Sequence, residues 1–168
     1  MAVCIKKTYK EHFPSLRLIG KRYTDNDRAG ESFGHKWGEW FQNGWFDKLE
    51  QSGPLPENDD GYLGVMRVDG GIFEYWIGMF FPENTPVPEG FEHTDTASFN
   101  GTTCWLYGNE SSGELYGMEA YNMVIDEAKN HGFVRRKDGW CFERYNCPRF
   151  TTPDDEGNVI LDYCVETV

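Results

Sequence analysis

Apolar residues fall along this chain in two alternating periods. Over 32–52, Phe33, Trp37, Trp40, Phe41, Trp45 and Leu49 recur at three- and four-residue steps. That spacing predicts one amphipathic helix, with Ser32 at its N-cap. Its Gly34, Gly38 and Gly44 each cost about 0.5–1 kcal/mol relative to Ala, so they mark either close approach of another element or simple tolerance. Before it, LRLIGKRYT (16–24) predicts a strand. After it, YLGVMRV (62–68), the turn DGG and IFEYWIGMFF (72–81) predict a hairpin.

The proline-rich PENTPVPEG (82–90) separates this half from a second with the same order of elements. FEHTDTASFNGTTCWLYG (91–108) predicts a strand, bent or split near Asn100-Gly101. ELYGMEAYNMVIDEAKNHG (114–132) predicts a helix opened by Tyr116 and closed by Gly132. GWCFERYN (139–146) and VILDYCVE (159–166) predict two strands around a turn-rich connection. The expected fold is therefore α+β: a tandem duplication of a strand-helix-strand-strand unit, 16–81 and then 91–166. Pseudo-twofold symmetry would place a central ligand cleft between the units, within a single 1–168 domain.

Composition narrows the function. The 16 Lys plus Arg against 28 Asp plus Glu give a net charge of −12. The longest basic run is Arg135-Arg136-Lys137, which argues against a nucleic-acid partner. No apolar run reaches membrane-spanning length, and the charged N-terminus MAVCIKKTYKEHF is unlike a signal peptide. Five cysteines (4, 104, 141, 147, 164) without a CxxC suit reduced thiols in a cytoplasmic protein. The aromatic share, 16%, is large enough to furnish a pocket besides the core.

One carboxylate stands out. In GWCFERYNCPRF (139–150), strand alternation puts Cys141, Glu143, Tyr145 and Cys147 on one face and Trp140, Phe142, Arg144 and Asn146 on the other. Both faces mix apolar and ionisable groups. Glu143 is either a strand glutamate paired with Arg144 or Arg149, or a carboxylate kept in an aromatic cavity for a ligand. Among the aromatics, Glu74, Trp76 and Phe80 share a strand face opposite the more apolar Tyr75, Ile77 and Met79. Trp105 and Tyr107 share a face with Thr103.

Other constellations are incomplete. Asp25-Asn-Asp27 opens like a calcium loop, but Ala29 and Lys36 stand at ligand positions. His35 and Glu39 are four apart without a third ligand. No phosphate-loop grammar occurs, and no cofactor is indicated.

The element order, the closing stretch FERYNCPRFTTPDDEGNVILDYCVE and the helix GHKWGEWFQNGWF (34–46) resemble the GyrI-like small-molecule-binding family. That family is related to the effector-binding domains of BmrR-type and AraC-type regulators. The resemblance spans about Leu16 to Val165. It implies an aromatic pocket with Glu143 at its base, binding flat hydrophobic or cationic compounds as a drug or toxin sequestrant. The expected ligand-binding residues are Glu143, Trp40, Trp76, Phe80, Trp105, Tyr116 and Tyr145.

The alternative that the resemblance implies is a hydrolase opening cyclopropane-bearing DNA-alkylating natural products. There Glu143 would act as general base, with Tyr116 or Tyr145 as hydroxyl donor. The family's gyrase-inhibiting namesake motivates a protein partner, for which no residue here argues. With no helix-turn-helix or coiled-coil arm before residue 16, a free-standing pocket is expected.

Overall fold

A computed structural model describes residues 3–30, 32–56, 61–146 and 148–168. Cys147, grouped above with the Glu143 face, lies outside them. The elements are β1 (Cys4–Phe13), β2 (Leu16–Tyr23), α1 (Gly34–Gln42), α2 (Trp45–Glu50), β3 (Tyr62–Asp69), β4 (Ile72–Pro82) and β5 (Glu92–Thr96). They continue with β6 (Phe99–Asn109), α3 (Met118–Asn130), β7 (Cys141–Tyr145) and β8 (Asn158–Glu166). The result is a mixed α/β chain with antiparallel pairing, divided into two compact units.

The contiguous unit, Pro14–Ser98, orders its strands β3-β4-β2-β5. Tyr75, Ile77, Met79 and Phe81, on one face of β4, join Ile19 and Tyr23 of β2 under Trp40, Phe46 and Leu49 of the helices. Burying each such side chain contributes about 1.5–3 kcal/mol. The apolar Tyr75 face of the hairpin is thus the helix-covered one, as its composition predicts.

The single helix expected over 32–52 is two helices. Gly44 adopts φ of 63° between α1 and α2, a left-handed conformation that interrupts the helix and that only glycine adopts readily. Phe33, not Ser32, is the N-cap, although the Ser32 hydroxyl accepts the Gly34 N–H at 2.9 Å. The break also divides the aromatic stripe. Trp40 is fully buried, Trp37 and Trp45 are half-buried, and Phe41 is 61% exposed. Gly38 faces open space, so no other element explains it.

The second unit joins Met1–Phe13 to Phe99–Val168, with strand order β1-β6-β8-β7. Its edge strand β1 was not predicted. KKTYKEH (6–12) lacks strict alternation, and a bulge at Lys6 shifts the register between Ile5 and Lys7. The strand expected over 91–108 is two, interrupted at Ala97-Ser98 rather than at Asn100-Gly101. β5 pairs with β2 of the contiguous unit and β6 with β1. The helix begins at Met118, so Tyr116 precedes it rather than opening it. Gly132 follows the C-cap His131 with φ of 79°.

Candidate ligand site around Glu143

β7 pairs with β8 so that Glu143 faces Tyr163 and Arg144 faces Asp162. Tyr163 in turn pairs with Cys104, and Cys104 with Thr8. The Thr8 hydroxyl donates to Glu127 of α3 at 3.1 Å. Partners across an antiparallel ladder share a face, so Glu143 lies on the α3 side of this sheet. The face parity read from the sequence around Glu143 therefore holds for Cys141, Glu143 and Tyr145.

Glu143 is 7% exposed. Among the described residues, its one hydrogen bond comes from the Tyr145 hydroxyl, which donates to Oε2 at 2.7 Å. No Lys, Arg or His among the described residues forms an ion pair with it. Burial pushes its carboxyl up to about 7, and the Tyr145 bond opposes that only in part. Nearby hydroxyls and thiols respond to the same surroundings. Burial, then the charges of Glu110 and Glu143, raise the Tyr116 hydroxyl. Burial, with Cys141 and Glu143 adding to it, raises Tyr163. Tyr116, Tyr145 and Tyr163 are thus grouped around one carboxylate.

The arginines that could have neutralised Glu143 are committed on the opposite face. Arg144 donates to both Glu11 carboxylate oxygens, at 2.9 and 2.8 Å, and to Asp162 Oδ2 from Nε at 3.2 Å and Nη2 at 3.0 Å. Arg149 donates to the two Asp162 oxygens at 3.1 and 2.7 Å, and Asn146 reaches Oδ2 at 2.9 Å. Despite burial, the Arg144 bonds hold the Glu11 carboxyl below its usual value. Asp162, 1% exposed, is thus the carboxylate that these arginines serve. It was missed in the sequence. The clue was its position two before Cys164 in the last strand, opposite Arg144, which is visible only once register is known.

Trp105 pairs with Asp162 and Lys7, so it belongs to that arginine face and not to the Glu143 face. The Lys7 ammonium and the Arg149 guanidinium lie 4.8 and 4.6 Å from its ring centroid. The remaining expected aromatics belong to the contiguous unit. Trp40 is core there, its indole donating to the Tyr23 hydroxyl at 3.1 Å. Trp76 and Phe80, 3% and 1% exposed, lie on the β4 face away from that core. Trp76 Nε1 donates to Glu74 at 3.3 Å, and Arg22 and Arg67 pair with the same carboxylate at 3.1 and 2.8 Å. Glu74 is therefore internally neutralised, where Glu143 is not.

Among the described residues, no group of three His, Cys, Asp or Glu is arranged to hold a metal, and no helix is long and apolar enough to cross a membrane. Cys4, Cys104, Cys141 and Cys164 are free thiols.

No protein-family model and no curated protein matches the chain in sequence. Solved structures match in fold. SAV2435 bound to tetraphenylphosphonium superposes with a TM-score of 0.72 at 17% identity, covering 96% of this chain and 94% of that one. A protein from Staphylococcus aureus MU50, described as a bacterial transcription regulation protein, gives 0.70 at 17% identity over 96% and 97%. The EcmrR C-terminal domain gives 0.62 at 10% identity over 96% and 97%. Across nearly its full length, the chain thus has the fold of SAV2435 and of the EcmrR C-terminal domain, in keeping with the GyrI-like family that its strand and helix motifs resemble.

Proposed function

We propose that the protein binds flat, lipophilic, cationic compounds, with Glu143 as their counter-charge, and acts by sequestering them. One observation carries this reading: a buried carboxylate with a hydroxyl partner and no ion pair among the described residues. Leaving a charge buried and unpaired costs several kcal/mol, and a cationic ligand would remove that cost. Aromatic hydroxyl-bearing rings at Tyr116, Tyr145 and Tyr163 add surfaces worth roughly 0.5–2 kcal/mol each to a cation. The neighbour SAV2435 bound to tetraphenylphosphonium supports the ligand class by analogy of fold. The free thiols fit a cytoplasmic setting. The strand orders β3-β4-β2-β5 and β7-β8-β6-β1, each read within its own unit, fit a tandem duplication of one unit.

The test is titration of the wild type and Glu143→Gln with tetraphenylphosphonium. Binding by the wild type that is lost in a folded Glu143→Gln supports the reading. Equal binding by both would sink it.

The hydrolase reading rests on a different property of the same group. A carboxyl near 7 is poised to take a proton from water at neutral pH, and Tyr145 or Tyr116 could donate to a developing oxyanion. Turnover of a cyclopropane-bearing alkylator, abolished by Glu143→Gln, separates it from sequestration.

A further inference from the structure

The turn-rich connection between β7 and β8 is fastened at several points. The Phe150 N–H donates to the Asn146 carbonyl at 2.8 Å, that of Thr152 to Pro148 at 2.9 Å and that of Asp154 to Asn158 at 2.9 Å. Ile160 of β8 donates to the Arg149 carbonyl at 3.0 Å. Between this connection and the strands lies a cavity of about 360 Å³, within the roughly 300–1,000 Å³ of small-molecule sites. Tyr107 and Ile160, which line it, pair across β6 and β8 two residues along from Trp105 and Asp162. They therefore share the arginine face of the sheet, opposite Glu143. Pro148 and Val159 add to the apolar wall.

The carboxylate and the phenol that line this cavity are spent on the protein. Asp154 Oδ1 accepts the Glu156 and Asn158 backbone N–H groups at 3.0 and 2.9 Å, and Oδ2 accepts the Tyr107 hydroxyl. That hydroxyl accepts in turn from the Asn158 side-chain amide at 3.1 Å.

The cationic donors are not spent. Arg149 gives Asp162 one edge of its guanidinium, Nε and Nη2, at 3.1 and 2.7 Å. The other edge, Nη1 with the second Nη2 hydrogen, has no acceptor among the described residues. Asp162 is buried, and the Trp105 ring centroid lies 4.6 Å from the guanidinium carbon, so the Arg149 plane is fixed before anything binds. Such preorganisation lowers the cost of binding. The Lys6 ammonium, exposed and 4.5 Å from the Tyr107 ring centroid, also has no ion pair among the described residues.

We propose that this cavity is a second ligand site and takes an aromatic monocarboxylate. The carboxylate meets the open edge of Arg149, and the ring lies against Tyr107, Pro148 and Ile160. Two parallel N–H groups match the two oxygens of a carboxylate, a fit that a lone ammonium does not impose. The chain's net charge of −12 repels anions in general, so selection rests on this local contact. The site thus takes an anion on one face of the sheet, where Glu143 faces the other, and it is independent of the cation reading.

The probes are 2-naphthoate and its neutral counterpart 2-naphthamide, titrated calorimetrically into the full chain. Wild type is expected to bind the naphthoate about tenfold tighter, the scale of one charge-assisted pairing. Backbone amide shifts should centre on Tyr107, Thr152 and Ile160. Arg149→Lys keeps a charge opposite Asp162 without the fork, and most of the preference should be lost. Thr152→Trp, at an exposed lining position, fills the cavity and should abolish binding of both probes. Thermal unfolding establishes that each variant is folded, and Thr152→Trp decides alone where Arg149→Lys is not.

Equal affinity for the two probes, or no saturable binding of naphthoate, overturns the proposal. Undiminished binding by folded Thr152→Trp, or shifts centred elsewhere in the chain, does the same. None of these results alters cation binding at Glu143, which is tested separately.

Discussion

The Tyr145 hydroxyl and Glu143 Oε2 are 2.7 Å apart, joined along one face of a single strand. The bond favours the ionised carboxylate, because a donor aimed at an oxygen stabilises the charged form. Tyr145→Phe should therefore raise the Glu143 value further above 7, toward the limit that burial alone sets. Carboxyl carbon NMR across a pH titration measures this directly. Cation binding should shift to higher pH in the same variant. An unchanged titration would mean that the hydroxyl serves position only.

Stability should carry the signature of Glu143. Its value rises from 4.5 to about 7 on folding. Below 4.5 the carboxyl is protonated in both states, so burial costs no charge. Between 4.5 and 7 the unfolded chain releases a proton that the folded chain keeps, and this contribution falls as pH rises. The full loss is on the order of 3 kcal/mol, at 1.36 kcal/mol per pH step. Glu143→Gln should lose less stability than wild type between pH 5 and pH 8 in denaturant unfolding. Parallel curves would contradict the buried, unpaired state.

Asp162 should behave differently. It holds Arg144, Arg149 and Asn146, so Asp162→Ala leaves one buried and one partly buried guanidinium group short of a carboxylate. Breaking a buried pair by removing one partner costs about 3–5 kcal/mol. The midpoint of urea unfolding should drop accordingly. Replacement of Glu143 by Gln, which removes no ion pair, should not produce a loss of that size.

Two glycines of the first helical segment should separate cleanly. Gly44 has φ of 63°, so Gly44→Ala forces a side chain into left-handed backbone at about 1–2 kcal/mol. Gly38 sits within α1 facing open space, and Gly38→Ala should stabilise by about 0.5–1 kcal/mol. Opposite shifts in thermal midpoint are the expected result.

Much of the architecture could be read from periodicity. The hairpin of β3 and β4 was bounded by its DGG turn, and the buried Tyr75 face was evident from its composition. Local pattern could not show that Gly44 would divide a continuous aromatic stripe, because glycine fits both a tolerated helix position and a left-handed break. β1 was hidden by its three lysines and bulge. At the site, alternation placed Glu143 and Tyr145 on one face. The partners of Arg144 and Arg149 were not legible, since Glu11 and Asp162 approach them only through strand pairing. Trp105, expected among the ligand-binding residues, lies on the arginine face, which was not legible because its face relative to Glu143 depends on the register of β6 against β8.

The division of the chain also has a consequence for synthesis. The unit Pro14–Ser98 is an unbroken segment, whereas the unit around Glu143 needs both Met1–Phe13 and the segment from Phe99 onward. On the ribosome, β1 emerges first and has no partner until β6 follows, with Phe13 meeting Phe99 and Cys4 meeting Tyr107. During that wait the intervening unit can complete its own sheet, which shortens the search by bringing the ends of the closing loop together. Lys6, Lys7 and Lys10 then guard a waiting edge against premature pairing with other nascent chains.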